Sequence, residues 1–546
     1  MVKKIFPISV VIFAAILAIA DLMNFGIPPT HDGEYHIMRF WQFTKVISEG
    51  DLYPRWAPDF NNGFGIPLFN YVYPLPNFAA VFFQILGFGL IESFKLNMAA
   101  ATIIGAIFMY LWTRKYWGEL GGAVSSVFYT FSPYHLLDIY VRGSVGEVWS
   151  LGIAPALFWS YLSFSESRQK KFLVLSSIFL ALLVLAHNIL ALIFFGVFIL
   201  YLLFIILNSK KKKALIIDTL LICFSGLGLS SPFFLPALLE TRYVTGLQIF
   251  DPTHHFPVLY KLIYSSWGYG FSGANEPDQM SFQIGIANLI AVACSLFVVM
   301  RIKDKKILLF FFFLLLITIF MTTSFSSFIW KSVPFLGYIQ FPWRLLSLVI
   351  LLASFLAGSI VAEKVLFKKE KTRVIIAAIL ILMSIAFSIR YAKAPFYHQR
   401  EDSHYLTRPN FTDGTNSPGN AFNTKWLSGI PEKREDKIEV LGGSAVIKIN
   451  ELKSTEYSFT VEAKDDSKIL INTAYFPGWT AVANTRAVNI ENHNGRMLLK
   501  VPPGTNNIRV FLDNTPIQKI SYIYFLASVM LLVLKVHKVR KVYKVN

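Results

Sequence analysis

The sequence predicts a mainly α-helical, polytopic membrane protein of about twelve spans, closed by a small extracytoplasmic β-sandwich. Three observations carry this. Of the 546 residues, 54% are hydrophobic and only 15% charged, too few charges to cover a soluble protein of this length. The apolar residues recur in stretches close to the ~20 needed to cross a hydrocarbon core. After Tyr391 the long stretches give way to short alternating runs punctuated by Gly and Pro. The net charge of +18 does not indicate nucleic acid, because the basic residues sit in short clusters between apolar segments, as the positive-inside rule requires. Cys223 and Cys294 both fall inside apolar segments, which excludes a disulfide framework and a cysteine zinc site.

The basic clusters set the topology. Lys3-Lys4, Arg114-Lys115, Arg168 with Lys170-Lys171, Lys210 to Lys213, Arg301 to Lys306, Lys364 to Arg373 and the tail from Lys535 to Lys544 are placed in the cytoplasm. Spans then run over 5–22, 96–112, 120–136, 146–164, 172–187, 189–207, 214–236, 282–300, 307–327, 341–361, 373–390 and 520–535. Both termini are inside. The apolar stretch Pro76 to Ile91 does not fit the parity and reads as a re-entrant or interfacial helix of the first external loop; a thirteenth span is the rival reading. Ala18-Ile19-Ala20 also resembles a signal-peptide cleavage site, and on either reading the chain from Asp21 onward is external.

The expected organisation is a bundle over 1–390 with an external loop at 21–95, then an external linker and β-domain over 391–519, then a last span and basic tail over 520–546. Residues 391–435 read as irregular chain. Ile438-Leu441, Ala445-Ile449, Tyr457-Val461, Ile469-Thr473, Met497-Val501 and Ile508-Leu512 read as strands of a β-sandwich.

The polar residues that suggest chemistry fall on the external side. His31-Asp32-Gly33-Glu34-Tyr35-His36 puts two carboxylates and two imidazoles just beyond the first span. In extended chain Asp32 and Glu34 share a face; in a helix His36 lies one turn from Asp32. Such a set suits Mg²⁺ or Mn²⁺, or Zn²⁺ with added histidine. A single carboxylate suits a general base. Asp32 equally suits the N-cap of a helix starting near Gly33. Tyr73 sits among aromatic and amide residues suited to sugar stacking, or to an ordinary aromatic belt. Arg142 can grip a phosphate, or pair with Asp138 or Glu147. His187-Asn188 marks an abrupt turn, with either a site role or a backbone-satisfying one. Arg344, after Phe341-Pro342-Trp343, is an intramembrane arginine, paired or functional, or else snorkelling to the headgroups.

An acidic residue in the first external loop of a multispanning chain resembles the GT-C superclass of membrane glycosyltransferases. Asp32 within its loop, Arg142-Gly143 to Glu147, Ala186-His187-Asn188, Phe341-Pro342-Trp343-Arg344 and Tyr475-Phe476-Pro477-Gly478-Trp479 together resemble the YfhO-type, or 6-pyruvoyl-tetrahydropterin-synthase-related, membrane proteins of bacteria and archaea. The resemblance implies a GT-C-like bundle in the plasma membrane. It implies an inverting transfer of sugar from a polyprenyl-phosphate donor to an extracytoplasmic glycan, glycolipid or glycoprotein acceptor. Asp32 then matches the catalytic acidic position, with Glu34 beside it. Arg344 matches the basic position facing the lipid phosphate. Arg142, Glu147, His187, Tyr73 and His36 are further candidate substrate-binding residues, with a structural role the alternative for His36. Asp-x-Glu in place of Asp-x-Asp leaves a metal (Mg²⁺ or Mn²⁺ on Asp32 and Glu34) open. Two other classes remain: a flippase for lipid-linked saccharide, and a non-catalytic envelope-assembly protein.

Overall fold

Apolar runs in hydrocarbon must pair every backbone amide internally, and here they fold as helices. The protein, seen in a computed structural model, is described over residues 2–246, 251–273, 278–363, 365–406 and 421–537, with side chains from Phe6 onward. The Lys3 and Lys4 side chains, Lys364, the tail beyond His537 and 407–420 of the polar linker lie outside the described residues.

The helices run as α1 (Val2–Ile19), α2 (Gly33–Ser48), α3 (Leu75–Ile85), α4 (Leu90–Thr130), α5 (Pro133–Leu137), α6 (Val145–Ser167), α7 (Lys170–Ala186), α8 (Asn188–Asn208) and α9 (Lys212–Leu239). They continue as α10 (Leu259–Ile263), α11 (Ile286–Arg301), α12 (Lys306–Thr322), α13 (Ser327–Ser332), α14 (Leu346–Ser359), α15 (Glu370–Ser388), α16 (Asp402–Leu406) and α17 (Pro516–His537). Among the described residues seven helices are long and apolar enough to cross a membrane, or eight if the bent pair Lys306–Thr322 and Ser324–Ser332 is one span. The sequence reading expected about twelve. The shortfall lies in the second arm of α4, in α6, in α7 and in α11.

Each has a physical cause. The 41 residues of α4 are not one rod: Gly118, at φ 75°, reverses the chain. The Ser126 hydroxyl donates to the Ala106 carbonyl at 2.7 Å, a contact that requires the two arms to lie antiparallel. α6 carries Glu147, Glu166 and five serines, which lowers its hydropathy, but it is almost wholly buried within the bundle and does not face lipid. Its approach to α4 is close because Gly105 and Gly152 face each other, with no side chain between the backbones. α7 and α11 have 17 and 16 residues. α3, at eleven residues, extends about 16 Å, roughly half a hydrocarbon core.

The basic clusters collect at one end of the bundle. Lys115 pairs with Glu166 at 2.7 Å, Arg168 and Lys535 both pair with Asp218, and Lys306 donates to Asn208 at 3.3 Å.

The β-domain has two antiparallel sheets. Its strands are β1 (Ile438–Gly442), β2 (Ala445–Leu452), β3 (Glu456–Ala463), β4 (Ser467–Ala474), β5 (Trp479–Ala483), β6 (Arg486–Val488), β7 (Glu491–His493), β8 (Arg496–Val501) and β9 (Gly504–Leu512). The sheet orders are β1-β4-β8-β7 and β2-β3-β9-β5-β6. The six expected runs are all strands, and β5, β6 and β7 are additional. β6 and β7 are three residues each and polar, so alternation cannot reveal them. The Asn494-Gly495 turn joining β7 to β8 has both residues at positive φ, and Asn-Gly is the pair such a hairpin turn favours.

The sandwich is fastened to the first external loop. Trp56 is fully buried between Phe476 and Trp479, with ring centroids 6.1 and 5.5 Å away, and is part of the β-domain core. Gly65, at φ +72°, lies against the Trp56 indole where a Cβ would collide with it. The Ala474 amide donates to the Phe64 carbonyl at 2.8 Å, and Arg55 donates to the Leu512 and Asp513 carbonyls. Removing a buried tryptophan of this kind costs about 3–5 kcal/mol. Trp56→Ala is therefore expected to lower the thermal midpoint of the purified protein and to expose the β-domain to protease first. A variant that melts and digests like wild type would mean the plug is passive.

Candidate active site

The first loop and the loop after α5 are laced together by backbone. The His31 amide donates to the Val141 carbonyl at 3.0 Å, and the Asp32 amide to the Arg142 carbonyl at 2.9 Å. Gly143 makes this possible: its φ is +62°, and a Cβ there would collide with the Thr30 hydroxyl. The pairing sets Asp32 at the head of α2.

Asp32 occupies the N-cap position of α2, but its carboxylate does not cap. It makes no hydrogen bond or ion pair to any described residue and is only half-buried. The capping reading therefore accounts for its place in the chain and leaves its oxygens unused.

Glu34 points elsewhere. The chain is helical from Gly33, so two residues rotate the side chain by about 200° and the shared face expected of extended chain is lost. Glu34 instead pairs with Arg400 and accepts from the Tyr405 hydroxyl at 3.4 Å. Among the described residues no group of three or more His, Cys, Asp or Glu is placed to hold a metal ion. The diverging carboxylates do not fit a cation shared by Asp32 and Glu34. A cavity of about 350 Å³ lies on the Glu34 side, lined by Pro28, Pro29, Thr30, His31, Glu34, His398 and Arg400; Asp32 follows His31 in the chain and does not itself line it.

His36 is buried against Phe40 and Tyr73, with ring centroids 6.0 and 6.4 Å away. Burial holds its imidazole well below the ordinary histidine range, so it is neutral at pH 7. Tyr73 packs on His187 at 4.7 Å, and burial pushes its phenol up. The His187 Nδ1 accepts from the Leu190 amide at the start of α8, the backbone-satisfying role, and its Nε2 lies 3.9 Å from Glu147.

Behind these residues lies a dry ionic cluster. Arg142 donates through Nη1 to Asp138 at 2.6 Å and through both amino groups to Glu147. Arg344 donates through Nε to the same Glu147 at 3.1 Å, and through Nη1 to the Ile339 carbonyl and Gln340. Tyr134 adds a hydroxyl donor to Glu147. Two carboxylates and two guanidiniums thus balance, and Trp343 covers Arg142 at 4.8 Å. Arg142 thus pairs with both Asp138 and Glu147. Arg344 keeps its Nη2 without a hydrogen bond to described residues.

The sequence reading missed Arg39. It lies seven residues after Asp32, two helical turns on and on the same face of α2. Its Nε is sealed from solvent with no hydrogen-bond partner. The signal was available as the i, i+4, i+7 series Asp32, His36, Arg39.

Residues 69–393, more than half of the chain, match the model of a family described as "6-pyruvoyl-tetrahydropterin synthase related domain; membrane protein". The chain belongs to this family. The matched region of this family member contains Tyr73, Arg142, Glu147, His187 and Arg344; Asp32, Glu34, His36 and Arg39 precede it, and the β-domain follows it. An uncharacterized protein of Lactococcus lactis subsp. cremoris (strain MG1363) is 23% identical over 239 residues, 42% of this chain and 39% of that one. Among solved structures, the mycobacterial arabinofuranosyltransferase AftD aligns with TM-score 0.46 at 16% identity, covering 71% of this chain and 27% of that one. The Archaeoglobus fulgidus oligosaccharyltransferase aligns with TM-score 0.48 at 12% identity, covering 80% and 61%. This family member thus spans less than two thirds of each of these relatives' own length.

Proposed function

We propose that this membrane protein is an inverting glycosyltransferase that moves a sugar from a polyprenyl-phosphate donor to an acceptor on the extracytoplasmic side. The observation that carries the reading is the Asp32 carboxylate: half-buried, without a hydrogen bond or ion pair among the described residues, and in the electrostatic reach of Arg39 and Arg344. A carboxylate so placed serves to accept a proton. The acceptor approaches past His31, which lines the neighbouring cavity and directly precedes Asp32 in the chain. Asp32 takes its proton as the oxygen attacks the anomeric carbon. The carbon–oxygen bond to the phosphate breaks on the opposite face, so the configuration inverts. The electron pair leaves with the polyprenyl phosphate, whose charge the free Nη2 of Arg344 can meet. The cluster behind contributes a fixed positive wall, with Glu147 orienting both arginines.

The flippase reading would want unpaired ionisable groups deep within the spans. The ionic cluster instead lies where α6 begins and is internally balanced.

The test is transfer in detergent, where no gradient and no second compartment exist. Purified protein given a polyprenyl-phosphate sugar and an acceptor should form a glycosidic product. Movement of donor across vesicles with no product in detergent would sink the enzyme reading in favour of the flippase.

The extracytoplasmic orientation rests on the basic end lying opposite the site. In intact cells, an impermeant thiol reagent should label a cysteine at exposed Asn484 and spare one at Lys212. The reverse pattern would invert the topology.

A further inference from the structure

The ionic cluster balances its own charges, whereas Arg39 does not. Arg142 and Arg344 share Glu147 and Asp138. Arg39 is half-buried, its Nε is sealed from solvent without a partner, and no described carboxylate lies within ion-pair distance of it. Its neighbours on the same face do not compensate: His36 is held neutral by burial, and Tyr73 keeps its proton. Asp32 acts on it at longer range only. A half-buried guanidinium with one sealed nitrogen and no anion in contact favours a counter-ion from outside the chain.

Helix geometry says where that anion sits. Arg39 is about 10 Å along α2 from Asp32. Side chains of a helix lean toward its N-terminus, so the guanidinium reaches back toward Asp32 and closes most of that gap. The base and the cation thus lie on one face of α2, the order an attacking oxygen and a leaving phosphate require.

Resting on the glycosyltransferase reading, we propose that Arg39 binds the phosphate of the lipid-linked donor, with the ligand supplying the counter-ion that the fold withholds. Arg39 then shares the phosphate with the free Nη2 of Arg344. Phosphate on a lipid has two sources, the polyprenyl carrier and the headgroups of bulk phospholipid, and the proposal commits to the carrier.

The experiment uses purified full-length protein in detergent, with three probes: polyprenyl monophosphate, the matching polyprenol, and phosphatidylglycerol. Binding and thermal midpoint are read for wild type, Arg39→Gln and Arg39→Lys. Wild type should bind polyprenyl phosphate more tightly than the other two and be stabilised by it. Arg39→Gln should lose about 10- to 100-fold in affinity for polyprenyl phosphate, the worth of a charged hydrogen-bonded contact. Its unliganded midpoint should stay level or rise, because an uncompensated charge has been removed. Arg39→Lys should fall between, keeping charge and losing the fork.

Arg39→Gln binding at wild-type affinity would overturn the proposal. So would a sharply lowered unliganded midpoint, which would make Arg39 a structural group, or equal binding of phosphatidylglycerol, which would make it a bulk-lipid anchor. A wild type that does not distinguish polyprenyl phosphate from polyprenol would instead defeat the donor class itself, and with it the reading on which Arg39 rests.

Discussion

Asp32→Asn should remove most sugar transfer, by about 10²- to 10⁴-fold, in protein that still folds and still binds donor. The substitution is nearly isosteric. It breaks no hydrogen bond or ion pair, because the carboxylate has none among the described residues. The backbone amide that ties Asp32 to Arg142 is untouched. The loss should therefore appear in kcat, with donor affinity and thermal midpoint near wild type. Glu34→Gln gives the contrast. Glu34 holds Arg400 and Tyr405 at the cavity wall, so its loss should weaken acceptor use more than turnover. Near wild-type transfer by Asp32→Asn would leave the reaction without its base. Equal severity of the two variants, together with loss of activity to a chelator, would restore a shared cation.

The second large effect is on stability. Glu147 accepts from both amino groups of Arg142, from Arg344 and from Tyr134, all of them buried. Glu147→Gln leaves two buried guanidiniums facing one carboxylate, Asp138. Breaking a buried pair from one side costs about 3–5 kcal/mol, a large fraction of the total for most proteins. The variant should elute as aggregate or melt far below wild type. Glu147→Asp keeps the charge but shortens the reach, and should be milder. Adding Arg344→Gln to Glu147→Gln restores the charge count and should recover part of the loss, a non-additivity expected only of groups sharing one network. Glu147→Gln with a wild-type midpoint would show that the cluster does not hold the helices together.

Much of this architecture is local in origin and could be read from the chain. Ser126 meeting Ala106 across Gly118 matches the break between the spans expected at 96–112 and 120–136, because Arg114 and Lys115 mark a charged turn that hydrocarbon excludes. The six alternating runs from Ile438 to Leu512 became strands because a two-residue period is a property of neighbours in the chain. The polar residues that the structure gathers at one end, Asp32, Tyr73, Arg142, Glu147, His187 and Arg344, could be singled out because charge and amide groups are costly in apolar sequence.

Tertiary structure decided the partners. Glu34 meets Arg400 across 366 residues of chain, and Trp56 enters a domain whose first strand begins at Ile438. Arg142 and Arg344 converge on one glutamate, and Arg39 is left without an anion. The sequence by itself determined which segments leave water and which groups resist leaving it, since hydrophobic transfer depends on each residue and its near neighbours. Which carboxylate a guanidinium finds, and which one stays unpaired, depends on packing between distant segments, and only the folded chain decides that.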